Sequence, residues 1–319
     1  MKGLRAALIT FTIFAVASPL WAYVTAKILA PDQTTILQEK WSSKAFPLKW
    51  QMNPKVGANI SGTVSQETIF QQSFATWQAL TTAPLSFTEG SQTDATVVPS
   101  YDQINLVTTN VTSDQYGSSA LGLTLVYSFN QTGVEQFGRS IDFPGQILEA
   151  DIMFNPTVQF STNTPTPSGL IDLQSVATHE IGHFLGMDHT GSLASTMFPY
   201  LTGGETYARA LSTDDIAGVS TIYPTAAFSA KGTISGTVRT TGNSPVFGAI
   251  VTVLNANGQP VAQVITDPSG KYSVAGLDAG SYSVYAEPMD QPITVANVPT
   301  LTRIYPGATV FTNFTTRFR

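Results

Sequence analysis

Hydrophobic and polar positions change rhythm several times along this chain. Residues 46–52 (FPLKWQM) alternate as a half-buried strand does, and the run stops at Asn53-Pro54. From Ser65, a residue suited to capping, Phe70, Phe74 and Trp77 recur at i, i+4 and i+7, which predicts a helix to about Leu80. Residues 87–88, 103–107, 120–129 and 147–154 read as further strands. A Thr/Pro-rich loop over residues 161–169 precedes a second helix, from about Asp172 to Leu185. A third opens at Ser212-Thr213, carries Asp214 and Asp215 where acids complement the helix dipole, and is closed by Pro224. Beyond Ala226 the rhythm shortens to β-rich runs (GTISGTV, GAIVTVL, AQVIT, KYSVAGL, SYSVYAE) separated by turns such as Asn257-Gly258 and Asp267-Pro268-Ser269-Gly270. That spacing indicates a β-sandwich, with residues 307–319 as a candidate closing strand.

The fold class expected is therefore α+β followed by an all-β sandwich. The division expected is 1–22 signal peptide, 23–44 N-terminal segment, 45–226 α+β domain, 227–230 linker and 231–319 sandwich. Lys2 and Arg5 precede an apolar run over residues 6–17, as in a secretory signal, so secretion is expected. An uncleaved membrane anchor is the alternative, because only uncharged residues lie between Arg5 and Lys27. Residues 23–44 read as polar and unpatterned, too short a segment for a folded inhibitory prodomain.

Composition removes several function classes. Only 11% of residues are charged, the net charge is -6, and no basic stripe exists to neutralise phosphates, so no nucleic-acid partner is expected. With no cysteine, the chain has neither disulfides nor a thiolate that could ligate zinc or cap it in a latent form.

The chemistry concentrates in residues 179–189, HEIGHFLGMDH. On a helix His179 and His183 lie one turn apart on one face, so both imidazoles reach a single ion. Gly186 ends the helix in the left-handed conformation, and the reversal brings His189 back as a third nitrogen ligand. A fourth position is left for water, which marks a catalytic zinc site, and Glu180 stands beside it as general base. Such a pattern arises by chance on the order of once in 10⁵ chains of this length. The chain's three histidines all occupy ligand positions, so one Zn²⁺ is expected.

HExxHxxGxxH followed by a methionine turn resembles the metzincin peptidases, and Met197 in STMFPY (residues 195–200) is similar to that turn. Within the metzincins the chain most resembles the matrixins, over roughly residues 45–226. LSTDDIAGVSTIYP (residues 211–224) is similar to their last helix, whose two acids approach the Met-turn and the mature N-terminus. Thr190 separates the chain from the astacins and reprolysins, which carry an acid after the third histidine, and Tyr200 is one place too far from Met197 for an astacin-type ligand. The resemblance implies a twisted mixed sheet with three helices and a peptide laid along an edge strand at residues 118–129, including Leu121 and Gly122. It also implies Pro199 and Tyr200 as substrate-binding positions, and Ser175 in a roomy pocket for a large apolar side chain after the cut.

Two departures follow. Met153 stands where vertebrate matrixins carry a histidine for a second zinc, so that site cannot exist in that form. Asp151 and Asn155 leave Ca²⁺ as a minor expectation. The last domain resembles the seven-stranded carboxypeptidase-regulatory or transthyretin-like sandwich, through Asp267, Gly270 and Tyr272 and through Leu277, Gly280 and Tyr282. It is read as a spacer or as a module for cell-surface or glycan contact. The expected activity is a secreted zinc endopeptidase acting on extracellular protein or peptide substrates, in an oligomeric state the sequence leaves open. The alternative is a binding or adhesion protein with a weakly active metzincin domain.

Overall fold

In the computed structural model, the residues described are 24–96, 101–289 and 292–318; the expected signal peptide lies outside them. None of the described helices is long and apolar enough to cross a membrane. The N-terminal segment is not unpatterned: β1 (Lys27–Leu29) and β2 (Ile36–Gln38) form an antiparallel hairpin. Its turn is built by Asp32, whose carboxylate accepts the Thr34 and Thr35 amides at 2.8 Å each. A bridge from Thr25 to Met187 and a bond from the Ala26 amide to the Gly186 carbonyl (2.8 Å) lay this hairpin beside the histidine motif.

Next come β3 (Lys40–Trp41), β4 (Leu48–Met52), α1 (Gln66–Gln78), β5 (Phe87–Glu89), β6 (Leu106–Thr108), β7 (Gly122–Phe129), β8 (Gln146–Phe154), α2 (Leu173–Phe184) and α3 (Thr213–Ile222). The sheet runs β5-β4-β6-β8-β7, with β3 parallel to the start of β8. Only β7 is antiparallel, and among the described residues it is paired as a strand with β8 alone, so it lies at the edge of the sheet. On β8 the period of two sorts the residues by face. Ala150, Ile152 and Phe154 join the core under the helices, whereas Met153 packs with Leu106 and Tyr116 on the opposite side.

The apolar face of α1 predicted by Phe70, Phe74 and Trp77 is buried against α2. Phe74 stacks on Trp50 at 4.6 Å, and Trp77 donates its indole N–H to the Thr178 carbonyl (2.9 Å), so the two helices are joined by packing and by a satisfied polar contact. Ser65 caps α1 and Ser212 caps α3, as expected.

The second domain has β9 (Gly232–Thr237) paired with β12 (Lys271–Leu277), and a sheet in the order β11 (Pro260–Ile265), β10 (Ile250–Leu254), β13 (Ser283–Glu287), β14 (Arg317–Phe318). Val251, Val253, Ala262, Val264, Val274 and Leu277 fill the space between the sheets. The expected linker, residues 227–230, overlaps a one-turn helix, Ala226–Ser229. Six strands rather than seven are present among the described residues. The stretch after β13 folds as a tight turn, Val295–Asn297, and a short helix α4, Pro299–Ile304. Proline at the start of α4 favours helix over strand, because its fixed φ suits the first turn and it cannot donate to a ladder. The expected closing strand is reduced to the two residues of β14.

The sandwich does not hang free. Val24, Phe198, Phe247, Ile250, Met289, Ile293, Val298 and Leu301 form one buried cluster drawn from the N-terminus, the segment after Met197 and the sandwich.

Candidate metal centre

Helix α2 is held at both ends before any ion is considered. Asp172 caps its start by accepting the Ser175 amide (2.7 Å) and pairs with Arg209. Burial works against the ionised carboxyl of Asp172, yet bonds from Arg209, Thr166 and Ser175 keep its pKa below the ordinary value. At the other end, carbonyls that the helix cannot satisfy accept side-chain donors: Phe184 from the Trp41 indole (2.7 Å) and Leu185 from the Tyr223 hydroxyl (2.9 Å). Gly186 follows with φ 88°. A Cβ there would stand 2.3 Å from the Glu39 carbonyl, so glycine is required both by the turn and by the close pass of the N-terminal segment.

This frame brings the three histidines together. Nε2 of His189 lies 3.2 Å from Nε2 of His183 and 3.2 Å from Nε2 of His179. Each Nδ1 faces a backbone carbonyl: Thr196 for His179 (2.6 Å), Met187 for His183 (3.0 Å) and Asn297 for His189 (2.6 Å). A carbonyl can only accept, so each Nδ1 carries the proton and each Nε2 presents a lone pair. Burial, followed by the neighbouring imidazoles, holds the pKa of His179 well below the ordinary value; burial likewise lowers that of His183. Three lone pairs so close repel one another unless a cation lies between them. A tetrahedral zinc with bonds of about 2.0–2.1 Å needs donors about 3.3–3.4 Å apart; both distances from His189 come close to that, and all three ligand atoms lie within 4.8 Å of one another. Among the described residues this is the only group of three or more His, Cys, Asp or Glu side chains close enough to hold an ion.

The other expected residues gather around the triad in a cleft of about 780 Å³. Its lining includes Ser175 and Glu180 from α2, Leu121 and Gly122 from the sheet edge, and Pro199 and Tyr200 from the opposite rim. Met197 is fully buried beneath it. Glu180 is buried, which raises its pKa, and its Oε2 accepts the Thr124 hydroxyl of β7 at 2.6 Å. A Cβ at Gly122 would lie 2.4 Å from Glu180 Oε1, so the edge strand passes as close to this carboxylate as glycine allows.

Several functional contacts escaped the sequence. Gly182 is one: a Cβ there would sit 2.2 Å from Met197 Sδ, so the bare helix face admits the methionine. A glycine inside a helix, disfavoured by about 1 kcal/mol against alanine, was the available signal. Thr124 gave none. The two acids of α3 divide their work. Asp215 accepts the amides of Thr196 (2.8 Å) and Met197 (3.0 Å), fixing the Met-turn. Asp214 reaches the sandwich, accepting the Gln263 amide at 2.6 Å; the expected mature N-terminus lies outside the described residues. As for calcium, Asp151 Oδ1 accepts the Leu106 amide and Asn155 Oδ1 the Thr157 amide, each at 2.9 Å.

The family model described as Matrixin matches residues 40–224, more than half of the chain, and one described as a carboxypeptidase regulatory-like domain matches residues 233–301. The chain is a matrixin. Matrixin membership implies zinc, and the histidine triad answers to it. Human matrix metalloproteinase-16 is 26% identical over 194 residues, 58% of this chain and 27% of that protein. Karilysin of Tannerella forsythia is 34% identical over 102 residues, 28% and 20% of the two chains. Metalloendoproteinase 5-MMP of Arabidopsis thaliana is 44% identical over 54 residues, 17% and 15%. The chain therefore matches less than a third of the length of each of these relatives.

Proposed function

We propose that this matrixin is a zinc-dependent endopeptidase that is exported and cuts peptide bonds in extracellular proteins. The observation that carries the reading is the convergence of three imidazole Nε2 atoms beside a buried carboxylate, in a cleft with an edge strand. His179, His183 and His189 would hold the ion. When bound, zinc supplies Lewis acidity, which polarises a carbonyl and lowers the pKa of water. The substrate lies extended along β7 and adds backbone hydrogen bonds to its outer edge. Glu180 takes a proton from the attacking water and delivers it to the leaving amine as the C–N bond breaks. Burial favours the neutral form of Glu180, so the protonated state it passes through is stabilised where it is needed. The Thr124 hydroxyl restrains the carboxylate between transfers. Ser175, small and fully buried at the cleft wall, leaves room for a large apolar side chain after the cut. The apolar run at residues 6–17 behind Lys2 and Arg5 supports export.

Casein cleavage by the mature protein, with and without a chelator and beside Glu180→Ala, tests the assignment. The chelator should abolish cleavage, and Glu180→Ala should lower turnover by about 10²–10⁴-fold. Equal cleavage by wild type and Glu180→Ala would remove Glu180 from the mechanism. Wild-type failure against a broad peptide library would favour a peptide-binding protein instead.

A further inference from the structure

The three histidines are not held by the same part of the chain. His179 and His183 direct their Nδ1 atoms to carbonyls of the matrixin domain, Thr196 and Met187. His189 directs its own to Asn297, which lies beyond the last sandwich strand but β14. The segment carrying Asn297 is firmly seated. Val298 is 0% exposed and Leu301 7%, both in the apolar cluster that includes Phe198 beside the Met-turn.

Polar contacts fix it further. Asp188 bridges the two parts: its Oδ1 accepts the His189 amide (2.7 Å) and its Oδ2 the Thr300 amide (2.9 Å). Asn297 Nδ2 donates to the Tyr200 hydroxyl (2.9 Å), and its Oδ1 accepts the Thr294 amide (2.9 Å), closing the turn that aims the Asn297 carbonyl. Arg303 donates to Glu39 Oε2 (2.9 Å), whose Oε1 accepts the Ser128 hydroxyl of β7 (2.5 Å). Glu39, Asn297 and Arg303 all line the cleft.

We propose that residues 295–303 are a built-in part of the metal centre and the end wall of the cleft beside His189, with Asn297 as the positioning residue for the third ligand. The inference rests on the zinc reading given above. An imidazole whose Nδ1 proton has a fixed acceptor is held in one tautomer and one orientation, and its Nε2 is the more basic for it. Losing such a partner costs about 10–100-fold in metal affinity. Linkage is reciprocal, so zinc should in turn hold this segment against the matrixin domain.

The test is zinc affinity of the full-length protein, measured by competition with a chromogenic chelator, together with the visible spectrum of its cobalt-substituted form. Thr300→Pro removes the amide that Asp188 accepts, in the first turn where no intrahelical hydrogen bond is lost, and Asn297→Ala opens the turn. Each should weaken zinc about tenfold or more and shift the cobalt bands, and the double variant should do so further. Thr300→Ala keeps the amide and should recover wild-type affinity. Lys231→Ala, which breaks the exposed pair with Asp278 elsewhere in the sandwich, serves as control. Thermal melting identifies a variant that has lost its fold, and hydrogen exchange at residues 295–304 of the wild-type protein, slower with zinc than without, then decides the matter without mutation. Zinc affinities equal to wild type in the two disrupting variants, or unchanged exchange on adding zinc, would overturn the proposal alone. Faster cleavage by the disrupted variants would make the segment an inhibitory latch and overturn it equally. A wild-type protein that binds no zinc would instead bring down the metal reading and this inference with it.

Discussion

The two ends of the cleft are built on different terms. The lining at Ser175 comes from the matrixin domain alone, from helix α2. The end at His189 is assembled from three parts of the chain, namely the hairpin residues Ala26 and Glu39, the loop after Gly186, and the segment with Asn297 and Arg303. A local wall needs only its own secondary structure. A wall made of distant pieces needs two domains to dock, so its geometry carries the free energy of that docking. The carboxypeptidase regulatory-like domain is thus in direct contact with a histidine of the triad.

The docking of the two domains should respond most strongly to Asp214, which joins α3 to the sandwich. Burial first, and then the neighbouring Asp215, raise its pKa to about 7. The folded protein therefore holds a proton that the unfolded chain releases near its ordinary value of 3.8. Its contribution is fully present below pH 4 and is lost as pH rises through 7, by at most about 4 kcal/mol. Burial also raises Asp151 and Glu149 to about 7, so their contributions run the same way. Asp214→Asn keeps an acceptor for the Gln263 amide without a charge, and should flatten part of the fall in melting temperature between pH 5 and 8. An unchanged pH slope would show that Asp214 is ionised throughout.

Gly182→Ala strikes the floor common to both ends. The added methyl meets Met197 Sδ at 2.2 Å and Trp77 at 3.2 Å, so the core must yield. We expect a loss of roughly 1–3 kcal/mol in urea unfolding, outweighing the gain in helix propensity. A variant as stable as wild type would mean that Met197 has another position open to it.

The smallest change sharpens the contrast. Ser175→Phe should fill the local pocket and shift the residue accepted after the cut from large apolar to small, by about tenfold or more in kcat/KM between the two classes. Selection at the His189 end should stay as it was. A wild-type profile that already prefers small residues after the cut would remove the pocket reading of Ser175.

Most of the site was legible because it is local. His179, Glu180 and His183 are set by the pitch of one helix, and His189 by one glycine turn, so spacing alone brings them together. Strand and helix periods placed β4, β7, β8, α1, α2 and α3 for the same reason. The N-terminal hairpin was missed because its few apolar residues, among them Ile28, Leu29, Ile36 and Leu37, are too short a pattern to show a period. Its stability comes from contact with Gly186 and Met187 instead. The Asn297 contact could not be read at all, since the acceptor is a backbone carbonyl and every residue has one.

What the sequence determined by itself was the convergence of the three histidines, the glutamate beside them and the two domain types, because helix pitch, glycine conformation and strand alternation are properties of neighbouring residues. Only the tertiary structure decided how the third histidine is held, where Asp214 is spent and which parts of the chain close each end of the cleft. Those depend on docking surfaces brought together from residues far apart, where no local period connects cause with effect.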